Sequence, residues 1–150
     1  MTTVPDQETT TAEHLYNEAY QCLVEGDYSR FAALCAPKFV LNLSDASNVS
    51  LAELEDEAKA WRIAFTGYDH DPTEEVRFPF RGGHEIAVFT KHLLIHTGPF
   101  RLPGGTTIDA TSRKIEVRVA TFIHVDGVRI DRLNILLNTA GFLKQMRSII

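Results

Sequence analysis

Cysteine is scarce in this chain. Its 150 residues carry only Cys22 and Cys35, too few for a disulfide framework and suited to a reducing compartment. Long apolar runs are absent as well: none approaches the ~18 residues a membrane span needs. The N-terminus lacks the basic-then-apolar pattern of a secretory signal, so the expected location is cytoplasmic, with no membrane partner. Basic charge is in deficit, with 15 Lys and Arg against 20 Asp and Glu and a net charge of −5. With no Lys/Arg stripe to offset it, this surface repels phosphate backbones, and no nucleic-acid partner is expected. Apolar material is not lacking. At 44% hydrophobic and 23% charged the chain falls among soluble globular proteins and not among disordered ones. Its length fits one domain with a true core and room for a pocket.

The first nine residues, Met1 to Thr9, are polar and Thr-rich and read as a flexible tail, leaving a single domain over residues 10–150. Thr10 and Glu13 fit a capping box, and Leu15, Ala19, Cys22 and Leu23 follow at helical spacing. Gly26 suits a helix end, and Asp27 the cap of a second helix that carries Phe31, Leu34 and Cys35 inward and stops before Pro37. Lys38 to Leu43 reads as a short strand. Ser50 and Glu53 form a second capping box, opening a helix through Leu54, Ala58, Trp61 and Phe65 towards Gly67. From Glu74 the period changes to alternation: Val76, Phe78 and Phe80, then Glu85 to Thr97, Arg113 to Val125 and Val128 to Asn138. Gly82-Gly83 and Asp126-Gly127 supply turns, the latter with the type I′ signature. Thr139 to Met146 closes the chain as a short helix. Helices segregated from strands predict an α+β domain: a cone-shaped, curved, mostly antiparallel sheet packed against three N-terminal helices. The mouth of such a cone is a natural ligand pocket.

The segments His96-Thr97-Gly98-Pro99-Phe100, Pro103-Gly104-Gly105, Phe122 to Ile130 and Asn138 to Met146 resemble the nuclear transport factor 2-like superfamily. Within it they are most similar to SnoaL-like polyketide cyclases. The resemblance implies an acid/base residue at the end of the last strand, where those cyclases commonly carry Asp and this chain carries Asn138. It also implies that His124, on the strand before, can line the same pocket. An amide cannot exchange protons at neutral pH, although it can hydrogen-bond a carbonyl or enol. Homodimerisation through sheet faces is a further implication.

Imidazole titrates near neutrality, so His124 is the first candidate for acid and base in one turnover, with His92 as the reserve base. Strand parity opposes a dyad of His124 and Asn138. A two-residue Asp126-Gly127 turn sets Val125 opposite Val128 and Ile115 opposite Asn138, so the two side chains face opposite sides unless a bulge intervenes. His92 and His96 lie four apart on one strand, ~13 Å between Cα atoms, too far to share a metal, and no metal site is expected. Asn134 and Arg132 share the face of Asn138, with Ile130 and Leu136, and suggest a lined cavity. Asn42 and Asp45 could reach its mouth. Tyr20, Trp61 and Phe65, like Tyr16, either fill the core or wall a pocket for a ring-shaped ligand. Ile115, Val117, Val119, Ile123 and Val125 make an apolar face that helices or a second subunit must cover. Glu53, Glu55 and Glu57 read as a capping and solvated face. Glu116 and Arg118 can pair.

These readings point to a cyclase or isomerase, needing no cofactor, that works by enolisation on a small, hydrophobic, oxygenated polyketide- or terpenoid-like intermediate. The alternatives are a dehydratase or epoxide hydrolase, which would need a pocket carboxylate, or a non-catalytic binding or dimerisation module.

Overall fold

A computed structural model describes residues 11–44, 46–68, 71–102 and 105–147. Thr10, Asp45 and His70 lie outside the described residues. The first helix, α1 (Thr11–Glu25), ends at Gly26, whose φ of 75° is left-handed. Helix α2 (Tyr28–Ala33) starts on Asp27, whose carboxylate accepts from the Arg30 amide at 3.1 Å. It is shorter than its sequence suggests. Cys35 already belongs to strand β1 (Cys35–Leu43), because the Ile130 amide bonds the Leu34 carbonyl and draws the chain into the sheet. Pro37 is tolerated there, since β1 is an edge strand whose register is broken between Cys35 and Val40. Helix α3 (Leu51–Ala64) opens with the full Ser50/Glu53 capping box. It ends one residue before Phe65, which joins Thr66 in strand β2.

Strands β3 (Glu74–Phe80), β4 (Glu85–His96), β7 (Lys114–Asp126) and β8 (Arg129–Leu137) carry the rest of the main sheet. Its order is β1-β8-β7-β4-β2, with β3 also on β4. Only the β1–β8 pair is parallel. A short ribbon of β5 (Phe100–Arg101) and β6 (Thr107–Ile108) stands apart, and helix α4 (Thr139–Arg147) closes the fold. The result is an α+β domain with a curved, mixed, six-stranded sheet that is not closed. Among the described residues no helix is long and apolar enough to cross a membrane.

The inner sheet face packs in two clusters. One joins α1 and α2 to β1 and β8 around Phe31, Leu41, Ile86, Ile130 and Leu133. The other joins α3, β5 and α4 around Trp61, Phe65, Phe100, Ile115 and Phe142. Ile115, Val117, Ile123 and Val125 are buried in these clusters within the one chain. The apolar face left uncovered is the opposite one. Val76, Phe78, Phe80, Phe89, Leu93, Ile95 and Leu136 are exposed there, and Phe78, Phe89 and Phe122 stack edge to face at 6.0 Å steps.

Gly98 marks the tightest backbone approach. A Cβ there would stand 2.2 Å from the Ile63 carbonyl oxygen, and the Gly98 amide bonds Ala64 next to it. Gly98→Ala should therefore lower stability by about 2 kcal/mol, because the overlap is with backbone and must be relieved by moving α3. Urea denaturation measures this, and an unchanged midpoint would refute the close contact.

Candidate functional site

Between α1, α3, α4 and the inner faces of β4, β7 and β8 the two clusters leave a cavity of about 240 Å³. Its wall is mainly aliphatic and aromatic, with polar atoms from Tyr16, Tyr20, Glu57, Tyr68, Thr90 and His92 among the lining residues. Strand alternation explains the two from β4. Ile86 and Val88 fill the core, and Thr90, His92 and Leu94 follow on the same face. His92 Nε2 lies 3.2 Å from Thr90 Oγ1. Burial draws its imidazole below the ordinary value, while Glu75 and Asp71 pull the other way. His92 is thus a neutral base near pH 7.

Helix α1 presents Tyr16 and Tyr20 one turn apart, their rings stacked 6.2 Å centre to centre at 18°. Burial pushes the Tyr20 phenol up to about 12 and raises Tyr16 as well. Tyr68, on the loop after β2, is also pushed by burial to about 12. All three stay protonated and can donate to a carbonyl or enolate oxygen. On α3, Trp61 packs against Phe65 at 4.9 Å and Phe142 at 5.2 Å. Its Nε1–H donates to Glu57 Oε1 at 3.1 Å.

The sequence-predicted residues divide between the two faces. His92, Trp61 and Tyr20 line the cavity. Phe65 stands behind Trp61 in the core and is not among the lining residues. His124, Asn138 and Asn134 point away from the cavity. A bulge in β8 is the cause for the two asparagines, and the β4–β7 ladder sets His124 outward. Only Gly127, with φ of 68°, adopts left-handed backbone, so the loop is Gly127-Val128 and Asp126 pairs with Arg129. This is the Gly-first pattern of a type II′ turn, not the expected I′. A bulge at Asp131 then sets Val125 opposite Ile130 but His124 opposite Arg132. It puts His124 on the same face as Asn138, as a bulge was needed to do, yet that face is the outer one. There His124 Nδ1 bonds Asp131 Oδ1 at 2.5 Å. Asn138 sits opposite Arg118, six residues along β7 from His124, or ~20 Å. Its Oδ1 accepts from the Gly141 amide at 3.1 Å, inside the turn that opens α4. Asn134 accepts from Asn42 Nδ2 at 2.7 Å, and Asn42 Oδ1 accepts from the Asn48 amide at 3.0 Å. These amides tie β1 to β8 and reach no cavity. The bulge also turns Ile130 inward, away from Arg132 and Asn134, and buries it completely.

His96 is inward-facing and fully buried. Its Nδ1 accepts from the Thr111 amide at 3.3 Å, so the ring proton resides on Nε2, which has no hydrogen-bond partner among the described residues. It stacks on Phe65 at 5.4 Å and does not reach the cavity. Glu116 and Arg118 pair at 2.9 Å on the outer face. No cluster of His, Cys, Asp and Glu suited to a metal occurs among the described residues. Sequence reading missed Glu57 and Tyr68 as wall residues. The available signal was spacing: Glu57 precedes Trp61 by four residues, one helical turn on the same side.

No protein-family model matches the chain, and no curated protein sequence matches it. Solved structures do. A Xanthomonas campestris protein provisionally named a polyketide cyclase superposes with a TM-score of 0.70 at 16% identity, over 91% of this chain and 96% of its own. A Jannaschia protein provisionally named a SnoaL-like polyketide cyclase gives 0.66 at 11% identity, over 100% and 99%. An NTF2-like protein from Burkholderia xenovorans gives 0.64 at 11% identity, over 91% and 96%. The fold is the nuclear transport factor 2-like cone. In this cone the cavity occupies the space between helices and sheet, and His92 is the imidazole that enters it.

Burial lowers the pKa of both His92 and His96. As pH falls below ~6.5 the unfolded chain takes up protons first. Folding stability is therefore complete above that pH and declines as pH drops towards the folded-state values. Thermal midpoints measured from neutral pH down to ~5 should fall, with a shallower slope in His92→Gln. A flat profile would contradict a buried, neutral pair.

Proposed function

We propose that the chain is an enzyme of the SnoaL-like type that moves a proton at a carbon next to a carbonyl in a compact, hydrophobic, ring-bearing substrate. The observation that carries this reading is His92, a neutral imidazole in the wall of an aromatic cavity. The names of the solved neighbours add support to the cyclase type. In this reading His92 removes the proton, and a tyrosine hydroxyl donates to the oxygen as enolate charge develops. Thr90 Oγ1, at 3.2 Å, holds the imidazole in place. The proton returns from His92 to a different carbon in an isomerisation; in a cyclisation the enolate carbon bonds to a second carbonyl carbon of the substrate, whose C=O π pair becomes an alkoxide that takes the proton back from His92. Apolar walls exclude water and strengthen each hydrogen bond inside. At about 240 Å³ the cavity is slightly below the ~300–1,000 Å³ of drug-sized ligand sites, which favours one or two rings. A dehydratase is the second reading, since Glu57 places a carboxylate in the wall.

The outer sheet face is proposed to pair with a second copy of the chain. Its aromatic ladder of Phe78, Phe89 and Phe122 is flanked by both signs of charge, Lys91 and Arg118 beside Glu74 and Glu116. Such a patch is complementary to itself under a two-fold rotation.

Deuterium incorporation from solvent into a small cyclic ketone such as β-tetralone, followed by NMR, tests the chemistry. His92→Gln should slow exchange by about 10²–10⁴-fold with ketone binding retained. Full exchange in that variant would remove His92 from the mechanism, and loss in Glu57→Gln instead would favour the carboxylate. Light scattering tests the pairing: the native chain should be a dimer and Phe89→Glu a monomer, whereas a monomeric native chain would reject it.

A further inference from the structure

The charge pattern around the cavity is one-sided. Among the described lining residues Glu57 is the only carboxylate, and there is no Lys or Arg. Its one hydrogen bond is the neutral one from Trp61 Nε1, and it has no ion-pair partner among the described residues. Two arginines lie over rings of the wall, and both are bonded to other groups. Arg62 lies over the Tyr68 ring, 5.7 Å from its centre, and donates to the carbonyls of Leu23 and Val24. Arg77 lies over the Tyr16 ring and pairs with Glu13 at 3.1 Å and Glu75 at 2.6 Å. Glu75 and Asp71 add negative potential that is felt at His92 and Tyr20.

The wall itself adds to this field. Aromatic faces carry partial negative charge, and Trp61 and Tyr68 stand 6.3 Å apart next to the Glu57 carboxylate. A cation placed among them gains Coulomb attraction from the carboxylate and attraction from the ring quadrupoles. An anion in the same position meets repulsion from the carboxylate, and the Arg62 guanidinium over the Tyr68 ring already donates to the Leu23 and Val24 carbonyls. A neutral ligand is indifferent to the charge and binds by apolar contact alone.

From this we infer that Glu57 sets the charge of the ligand, and that the cavity takes a ring-bearing amine in its protonated form while rejecting the isosteric acid. This rests on the reading of the cavity as a ligand site. It excludes carboxylates and phosphate esters as natural occupants, and leaves a substrate whose carbonyl faces His92 and whose amine faces Glu57.

Trp61 is the only tryptophan in the chain, so its fluorescence reports occupancy directly. Three isosteric probes, aminoindane, indanol and indanecarboxylate, are titrated at neutral pH into the full-length protein and into Glu57→Gln. The expected order is amine, alcohol, acid, with the amine at least about tenfold tighter than the acid, equivalent to ~1.4 kcal/mol. In Glu57→Gln, which keeps an acceptor for Trp61 Nε1, amine and acid should converge to within about threefold. Raising the salt concentration should narrow the native difference. Acid binding as tight as amine, or an unchanged ratio in a folded Glu57→Gln, overturns the inference while alcohol binding leaves the ligand cavity standing. Failure of all three probes to bind removes the cavity as a ligand site and this inference with it.

Discussion

Strand β7 pairs with β4 through eleven consecutive residues, from Glu85 opposite His124 to Ile95 opposite Lys114, without a break in register. Side chains alternate strictly along such a ladder, so this one pairing assigns every residue of two long strands to the inside or the outside. Ile86, Val88, Thr90, His92 and Leu94 face the helices together with Ile115, Val117, Val119, Thr121 and Ile123. Phe89, Leu93 and Ile95 face out with Arg118 and Phe122. Helices α1 and α3 can then dock only on the first set, and the cavity is the space they do not fill. A slip of one residue would exchange His92 for Lys91 in the wall and put Phe89 in the core.

The same alternation explains the polarity of the site. Towards one end of β4 the inward residues are Ile86 and Val88, which pack against α1 and are buried completely. Further along, Thr90 and His92 bring a hydroxyl and an imidazole to a place where α1 contributes two tyrosines and α3 a Trp–Glu pair. The imidazole and the phenols sit in largely apolar surroundings, which keeps the imidazole neutral and the phenols protonated, whereas Glu57 is exposed. Desolvation thus prepares a base and several donors in one space, the combination that proton transfer next to a carbonyl requires. Charge balance acts on a separate axis. With Arg62 turned to backbone carbonyls and Arg77 paired to Glu13 and Glu75, the wall keeps a net negative character.

The outer face has a different logic. It leaves Val76, Phe78, Phe89 and Leu93 exposed side by side, a contiguous apolar patch of the kind that marks an interaction surface. The Asn42–Asn134 bond and the His124–Asp131 pair hold the β1–β8–β7 part of that face in shape. Of the two residues that the resemblance singles out, His124 bonds Asp131 and Asn138 accepts from the Gly141 amide.

What the sequence determined by itself was local. The Ser50/Glu53 box, the Asp27 cap and Gly26 name their helix ends through bonds that span a few residues, and the alternation of β4 and β7 is written in side-chain type. From these, together with the order of elements, the α+β cone and the inward position of His92 and Trp61 could be read. What only the tertiary structure decided was which face of the last hairpin turns inward. That choice hangs on the bulge at Asp131, which lets Ile130 take a core site; the turn one residue further along shifts the register by two and changes no face. A two-residue period amplifies such a shift into a change of face, moving Asn134 and Asn138 to the outer side, where the β4–β7 ladder already places His124. Glu57 needed the structure for a simpler reason. An acidic residue on a helix reads as solvated until the neighbouring elements show that its side chain borders a cavity.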